Sequence, residues 1–111
     1  MIANACLALV DVMTELQLVN KEIIYTKVFE AEDLIGLIYD VLNYILLLFD
    51  TNDLLFNEFI IDLNENANSL SLTARGEKYN PKKHIMKTHI KAVTFFGMEF
   101  QDEGLKVTLD L

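Results

Sequence analysis

Two carboxylates stand one residue apart in the last strand of this chain: the side chain of Asp110 and the α-carboxylate of Leu111. Leu105, Val107, Leu109 and Leu111 alternate with Lys106, Thr108 and Asp110, the period-2 pattern of a half-buried strand. A strand holds such anions in a fixed relation, and paired oxygen donors suit a hard cation, Ca²⁺ or Mg²⁺. The alternative reading is an ordinary last strand with a solvated acid near its end. A second candidate is Lys91, set among Ile90, Ala92, Val93 and Phe95. Its aliphatic stem must lie along apolar surface while its ammonium reaches water or an anion. It is either an edge residue reaching for solvent or a cation belonging to a site.

The third candidate is a charge block. The segment from Arg75 to Lys91 holds six of the nine basic residues, both histidines and one acid, Glu77, leaving sixteen acids and three bases elsewhere in a chain of net charge −8. Arg75, Lys78, Lys82, Lys83 and Lys87 could form a basic contact face on an acidic body, fit for an RNA or another phosphate-rich partner. Lysine-rich loops that merely face solvent produce the same pattern.

Other chemistries lack their residues. His84 and His89 are five apart, with no matching cysteine or carboxylate cluster, which fits neither helical nor strand metal spacing. The four glycines form no phosphate-binding loop and no nucleophile elbow. Tyr39, Tyr44 and the seven phenylalanines do not interleave with the basic segment, so they read as core and rim. Asp40 and Asn43 share a helical face and read as a polar strip where that helix meets solvent. An autonomous enzyme is not expected.

With 111 residues, 52% of them hydrophobic and 23% charged, the chain is expected to fold as one domain, 1–111, with a real core. The single cysteine, Cys6, lies in an apolar periodic stretch and is expected to be buried, which fits a reducing cytoplasm. The first residues lack a basic n-region, and the longest apolar stretch, 34–49, is broken by Asp40 and Asn43. It reads as a buried helix, with no membrane contact expected.

The elements follow from periodicity. Ile2, Cys6, Leu9, Val10 and Met13 predict an amphipathic helix over 2–13, with 14–20 as its exit. Residues 21–30 read as a strand. Glu32 and Asp33 open a second helix running to about Phe49, with Leu34, Leu37, Ile38, Val41, Leu42, Ile45 and Phe49 as its core stripe. Residues 54–63 and 69–75 form a hairpin about the Asn64–Asn68 turn. A loop over 76–87, a long strand over 89–101, a tight turn at Asp102-Glu103-Gly104 and the last strand complete the order. The fold class is α+β: a mainly antiparallel sheet with two helices packed on one face.

Several blocks resemble a known family. Arg75-Gly76-Glu77, Asn80-Pro81-Lys82-Lys83-His84 and Thr88-His89-Ile90-Lys91-Ala92-Val93-Thr94-Phe95-Phe96-Gly97-Met98-Glu99 are similar to archease sequence, as are Glu32-Asp33-Leu34, Leu46-Leu47-Leu48-Phe49-Asp50 and Val107-Thr108-Leu109-Asp110-Leu111. The resemblance covers nearly all of the chain. It implies a small α+β accessory protein, not an enzyme, that activates a tRNA-splicing RNA ligase by promoting its guanylylation and turnover in tRNA processing. It further implies Asp110 and the Leu111 carboxylate as metal ligands, for calcium or another divalent cation, and Lys91 as a functional cation. The family's first metal aspartate lies in a His-Thr-Ala-Asp motif on an N-terminal strand, and this sequence carries no such motif. A weakened metal site is therefore expected, in a domain lacking that strand segment. An edge left unpaired by its absence would favour a homodimer. The rival reading is a chaperone-like module that binds tRNA or an RNA-modifying enzyme through the basic face.

Overall fold

The computed structural model describes residues 2–101 and 104–111, and side chains outside 95–107. Helix α1 spans Ile2–Met13 and buries Ile2, Cys6, Leu9, Val10 and Met13, the whole of its expected stripe. A 3-10 turn at Leu16–Leu18 leads to strand β1, Ile23–Glu30. Helix α2 spans Leu34–Asn52. Its N-cap is Asp33, whose carboxylate accepts a 2.8 Å hydrogen bond from Gly36 N–H, satisfying one of the first-turn donors that a helix leaves orphaned. The helix ends on Asp53 in the left-handed region, φ 57°, with its N–H returned to the Phe49 carbonyl. By length and composition α2 could cross a membrane. Here it is the central core helix, burying Leu37, Ile38, Val41, Leu42, Ile45, Leu46 and Leu48, while Leu34 and Phe49 sit half-buried at the margin.

Strands β2, Leu54–Asn64, and β3, Ser69–Lys78, form the expected hairpin, closed by a 3-10 turn at Glu65–Ala67 and by Asn68 in the left-handed region. Strand β3 runs three residues past its expected end because both neighbours continue to pair with it: Gly76 lies opposite Ile23, Glu77 opposite Leu55 and Lys78 opposite Leu54. Strand β4 is Ala92–Gln101 and β5 is Gly104–Asp110. Strand character therefore begins at Ala92, not His89. The turn expected at Asp102-Glu103-Gly104 lies outside the described residues at its first two positions.

The fold is α+β with antiparallel strands, divided into two sheets: β1-β3-β2 and the hairpin β4-β5. Both helices and the inner face of the larger sheet enter one core with Phe29, Phe56, Phe59, Leu70, Leu72 and Ala74, and Ile90 and Val93 bring the start of β4 into it. Cys6 is wholly buried there, and burial pushes its thiol up to about 12, so it is an inert apolar filler. The outer face of the larger sheet leaves Ile24, Val28 and Ile60 exposed.

Candidate functional site

The sequence candidates fall into two groups that the fold treats oppositely. The first gathers at the end of β3. Register between β2 and β3 shifts at Phe56/Glu58, so Asn57 is a bulged residue, and its amide donates to the Leu16 and Val19 carbonyls. Opposite this bulge a side chain on residue 76 is impossible. A Cβ there would stand 1.8 Å from the Leu55 carbonyl oxygen, which is why the motif carries Gly76. Arg75 turns to the outer face, where its Nε meets the Glu58 carboxylate at 3.2 Å.

Glu77, two residues further along β3 and so on the same face as Arg75, is nearly buried beneath the chain around Asn20 and the loop that carries Lys83 and His84. Its carboxylate accepts from Lys83 Nζ at 3.0 and 2.7 Å and from the Asn20 N–H, and His84 Nε2 stands 3.4 Å away. Burial, the largest single influence, pushes this carboxyl up. The hydrogen bonds from Lys83 and Asn20, with the nearby His84 ring and the Lys83 charge, outweigh it and hold the group below the ordinary carboxylate value. His84, whose side chain is fully enclosed, accepts the Asn80 N–H at Nδ1 (2.8 Å) and stacks on Tyr79. The neutral ring therefore carries its proton on Nε2, toward Glu77. Nδ1 is committed to the Asn80 N–H, while the enclosed Nε2 makes no hydrogen bond and only approaches the Glu77 carboxylate, so the cluster is closed off rather than presented to a substrate. It ties three chain segments together.

The connecting loop is stapled further along. Thr14 Oγ1 donates to the Ile85 carbonyl at 2.7 Å, and Lys87 N–H donates to the Met13 carbonyl at 2.8 Å. Lys87 Nζ lies 3.8 Å from Asp11 and 3.7 Å from Glu15. Of the five residues that could form a basic face, Arg75, Lys83 and Lys87 thus each face an acid of this same chain. Lys78 and Lys82 are exposed, without an ion-pair partner among the described residues.

The second group lies where β4 begins. Ile90 is buried and anchors the lead-in, His89 Nε2 is 3.8 Å from Asp50, and Lys91 is exposed. The Lys91 N–H donates to the Asp110 carbonyl at 2.7 Å, and Ala92 pairs with Asp110. Lys91, Asp110 and Leu111, distant in sequence, are neighbours at one exposed end of the β4-β5 hairpin. Among the described residues no three histidine, cysteine or acidic side chains gather as a metal cluster. Asp110 and the Leu111 carboxylate alone fall short of the six to eight oxygens that calcium takes, so these residues do not by themselves complete the metal site that the family resemblance implies.

The sequence reading missed what holds this end in place. Asn43, taken as part of a solvent-facing strip, is half-buried. Its Oδ1 accepts from Val93 N–H at 2.9 Å, and its Nδ2 donates to the Val93 carbonyl at 3.0 Å. An asparagine between buried Leu42 and Ile45 was the available signal.

Comparison with known proteins gives this arrangement a family. The Archease protein family matches residues 1–111. An archease of Methanothermobacter thermautotrophicus is 39% identical over 114 residues, covering 97% of this chain and 81% of that protein. One of Sulfurisphaera tokodaii is 33% identical over 102 residues, covering 91% and 73%. The solution structure of Methanobacterium thermoautotrophicum protein 1598 superimposes with a TM-score of 0.75 at 33% identity, over 97% of this chain and 81% of that one. A Thermotoga maritima archease, described as a possible chaperone, shares the fold at a TM-score of 0.62 and 20% identity, over 97% and 78%. The chain belongs to the archease family.

Proposed function

We propose that this chain is an accessory factor that activates a tRNA-splicing RNA ligase by promoting its guanylylation and turnover, with Lys91, Asp110 and the Leu111 carboxylate forming the end that acts on the ligase. Family membership supports an accessory role. The observation that carries the assignment to this end is the main-chain bond from Lys91 to Asp110, which brings two exposed, oppositely charged residues to one end of the hairpin. Charges left free in water are available to a partner, whereas those around Glu77 are already satisfied. A divalent cation would find two carboxylates here and bind weakly.

The test mixes the 111-residue chain with a cognate tRNA-splicing ligase, GTP and a divalent metal and follows formation of the guanylylated ligase. Stimulation by this chain, strongly reduced by Lys91→Ala with the melting curve unchanged, is the expected result. No stimulation across several ligases overturns the reading. The rival, a tRNA-binding module, predicts a salt-sensitive gel shift of tRNA that weakens with Lys78→Ala and Lys82→Ala, the two basic-face lysines left without an acid.

A further inference from the structure

We propose that Asn43 is a positioning residue for the Lys91–Asp110 end, acting through β4 rather than by contact with any partner; this rests on the role given to Lys91 above. An asparagine amide has one acceptor group and two N–H donors. Here every one is used: Oδ1 takes the Val93 N–H at 2.9 Å, one N–H goes to the Val93 carbonyl at 3.0 Å, and Nδ2 also reaches the Tyr39 carbonyl one turn back at 3.1 Å. The bond to Tyr39 fixes the amide's orientation, since a flipped amide would set its NH₂ against the Val93 N–H and its oxygen against two carbonyls. The amide therefore offers β4 the two main-chain bonds that a neighbouring strand would make, from a rigid core helix that has no strand to give.

The position along β4 gives this clamp its consequence. Val93 is two residues from Lys91 and buried, and it pairs with Leu109 on β5. The next pair is Ala92 with Asp110, and then comes the Lys91 N–H bond to the Asp110 carbonyl. Fixing Val93 against α2 thus fixes, through two residues of chain, where the Lys91 ammonium and the Asp110 carboxylate stand relative to the domain. The β4-β5 hairpin is a separate two-stranded sheet, and such a pair holds itself poorly in water without packing or bonds from elsewhere. The alternative is a polar core residue that adds stability evenly and positions nothing.

Amide exchange by NMR on Asn43→Ala and Asn43→Asp separates the two. Neither variant removes an atom that touches Lys91, so the Lys91 N–H reports transmission along β4. Its exchange should quicken about tenfold or more, while Leu72 and Ala74 N–H on the central strand β3 stay within about twofold of the parent chain. Asn43→Asp keeps the side chain's size and its acceptor for Val93 N–H but loses both donors, so it decides the matter if the alanine variant fails to fold. Lys91 exchange unchanged, or all amides quickening together, overturns the proposal. In the ligase assay, Asn43→Ala combined with Lys91→Ala should stimulate no less than Lys91→Ala alone, because both act on one end; an additive loss overturns it. If the parent chain stimulates no ligase, the functional reading fails while the exchange result still decides the role of Asn43.

Discussion

The Glu77–Lys83–His84 cluster and the Lys91–Asp110–Leu111 end each combine a lysine with carboxylates, and the fold puts them to opposite uses. Around Glu77 the carboxylate and the His84 ring are enclosed, and the partly buried Lys83 closes on the carboxylate. At Lys91 and Asp110 the main chain is bonded while the charged ends stand in water. A buried charge must be paired or it destabilises the fold, so a satisfied cluster is evidence of a structural role. An exposed charge adds little to stability, and its head group remains accessible to a partner. Proximity in the sequence of the most strongly patterned motif therefore misleads: the Arg75-Gly76-Glu77 block is scaffolding, and the quieter pair at the hairpin's end is the candidate site.

The sharpest way to break this contrast is at Gly76. Gly76→Ala should cost about 3 kcal/mol or more, because the new Cβ would fall on the Leu55 carbonyl, a main-chain atom that cannot rotate away. Urea denaturation reads this directly, and a loss below about 1 kcal/mol would mean that the bulge at Asn57 relaxes freely. Next comes Glu77→Gln, expected to cost about 1–3 kcal/mol by leaving the Lys83 ammonium partly buried without its counter-charge. A stability equal to the parent chain would place Glu77 among the dispensable surface charges, and the contrast would fail.

Acid should reveal the same cluster without mutation. The Glu77 carboxyl is held below its ordinary value in the folded chain, so the unfolded chain binds its proton first as pH falls. The stability it contributes is full above the unfolded carboxylate value and is lost as pH drops through the lower folded one. Comparing the acid limb of the parent with that of Glu77→Gln isolates this contribution. The parent should lose its advantage over the variant in that window, and two parallel limbs would mean that Glu77 titrates alike in both states.

How far the sequence revealed this follows from which interactions are local. Both helices were legible because periodicity and the Asp33 cap are written within a few residues of one another. Lys91, Asp110 and Leu111 were marked by pattern and family resemblance, and the fold does bring them together. The continuation of β3 to Lys78 was not legible, since it depends on Leu54 and Ile23, strands whose register no local pattern fixes. Nor was the division into two sheets, which turns on which strand edges meet. Asn43 was misread because a polar residue on a helix looks alike whether it faces water or a strand edge. The basic segment suggested one face, but Asp11, Glu15 and Glu58 come from other elements, and Glu77 from within the segment, to meet its members.

At the exposed end the expected effects on stability shrink to almost nothing, and that is the point of testing them. Lys91→Ala should change the unfolding free energy by no more than about 0.5 kcal/mol, since its backbone bond to Asp110 survives the truncation. A larger loss, measured by the same urea titration as for Gly76→Ala, would make Lys91 a structural cation and erase the difference between the two regions.

The smallest effect concerns metal. With only the Asp110 and Leu111 carboxylates as donors, calcium should bind with a dissociation constant of about 1 mM or weaker. At about 1 mM calcium the mass-action stabilisation is then at most about 0.4 kcal/mol, close to the limit of a thermal melt. Isothermal titration is the better probe. A weak heat that vanishes in Asp110→Asn fits two donors. Tight binding by the 111-residue chain, lost in Asp110→Asn, would mean that another oxygen ligand converges on this end. The hairpin terminus would then resemble the Glu77 cluster after all, a site whose charges are satisfied from within.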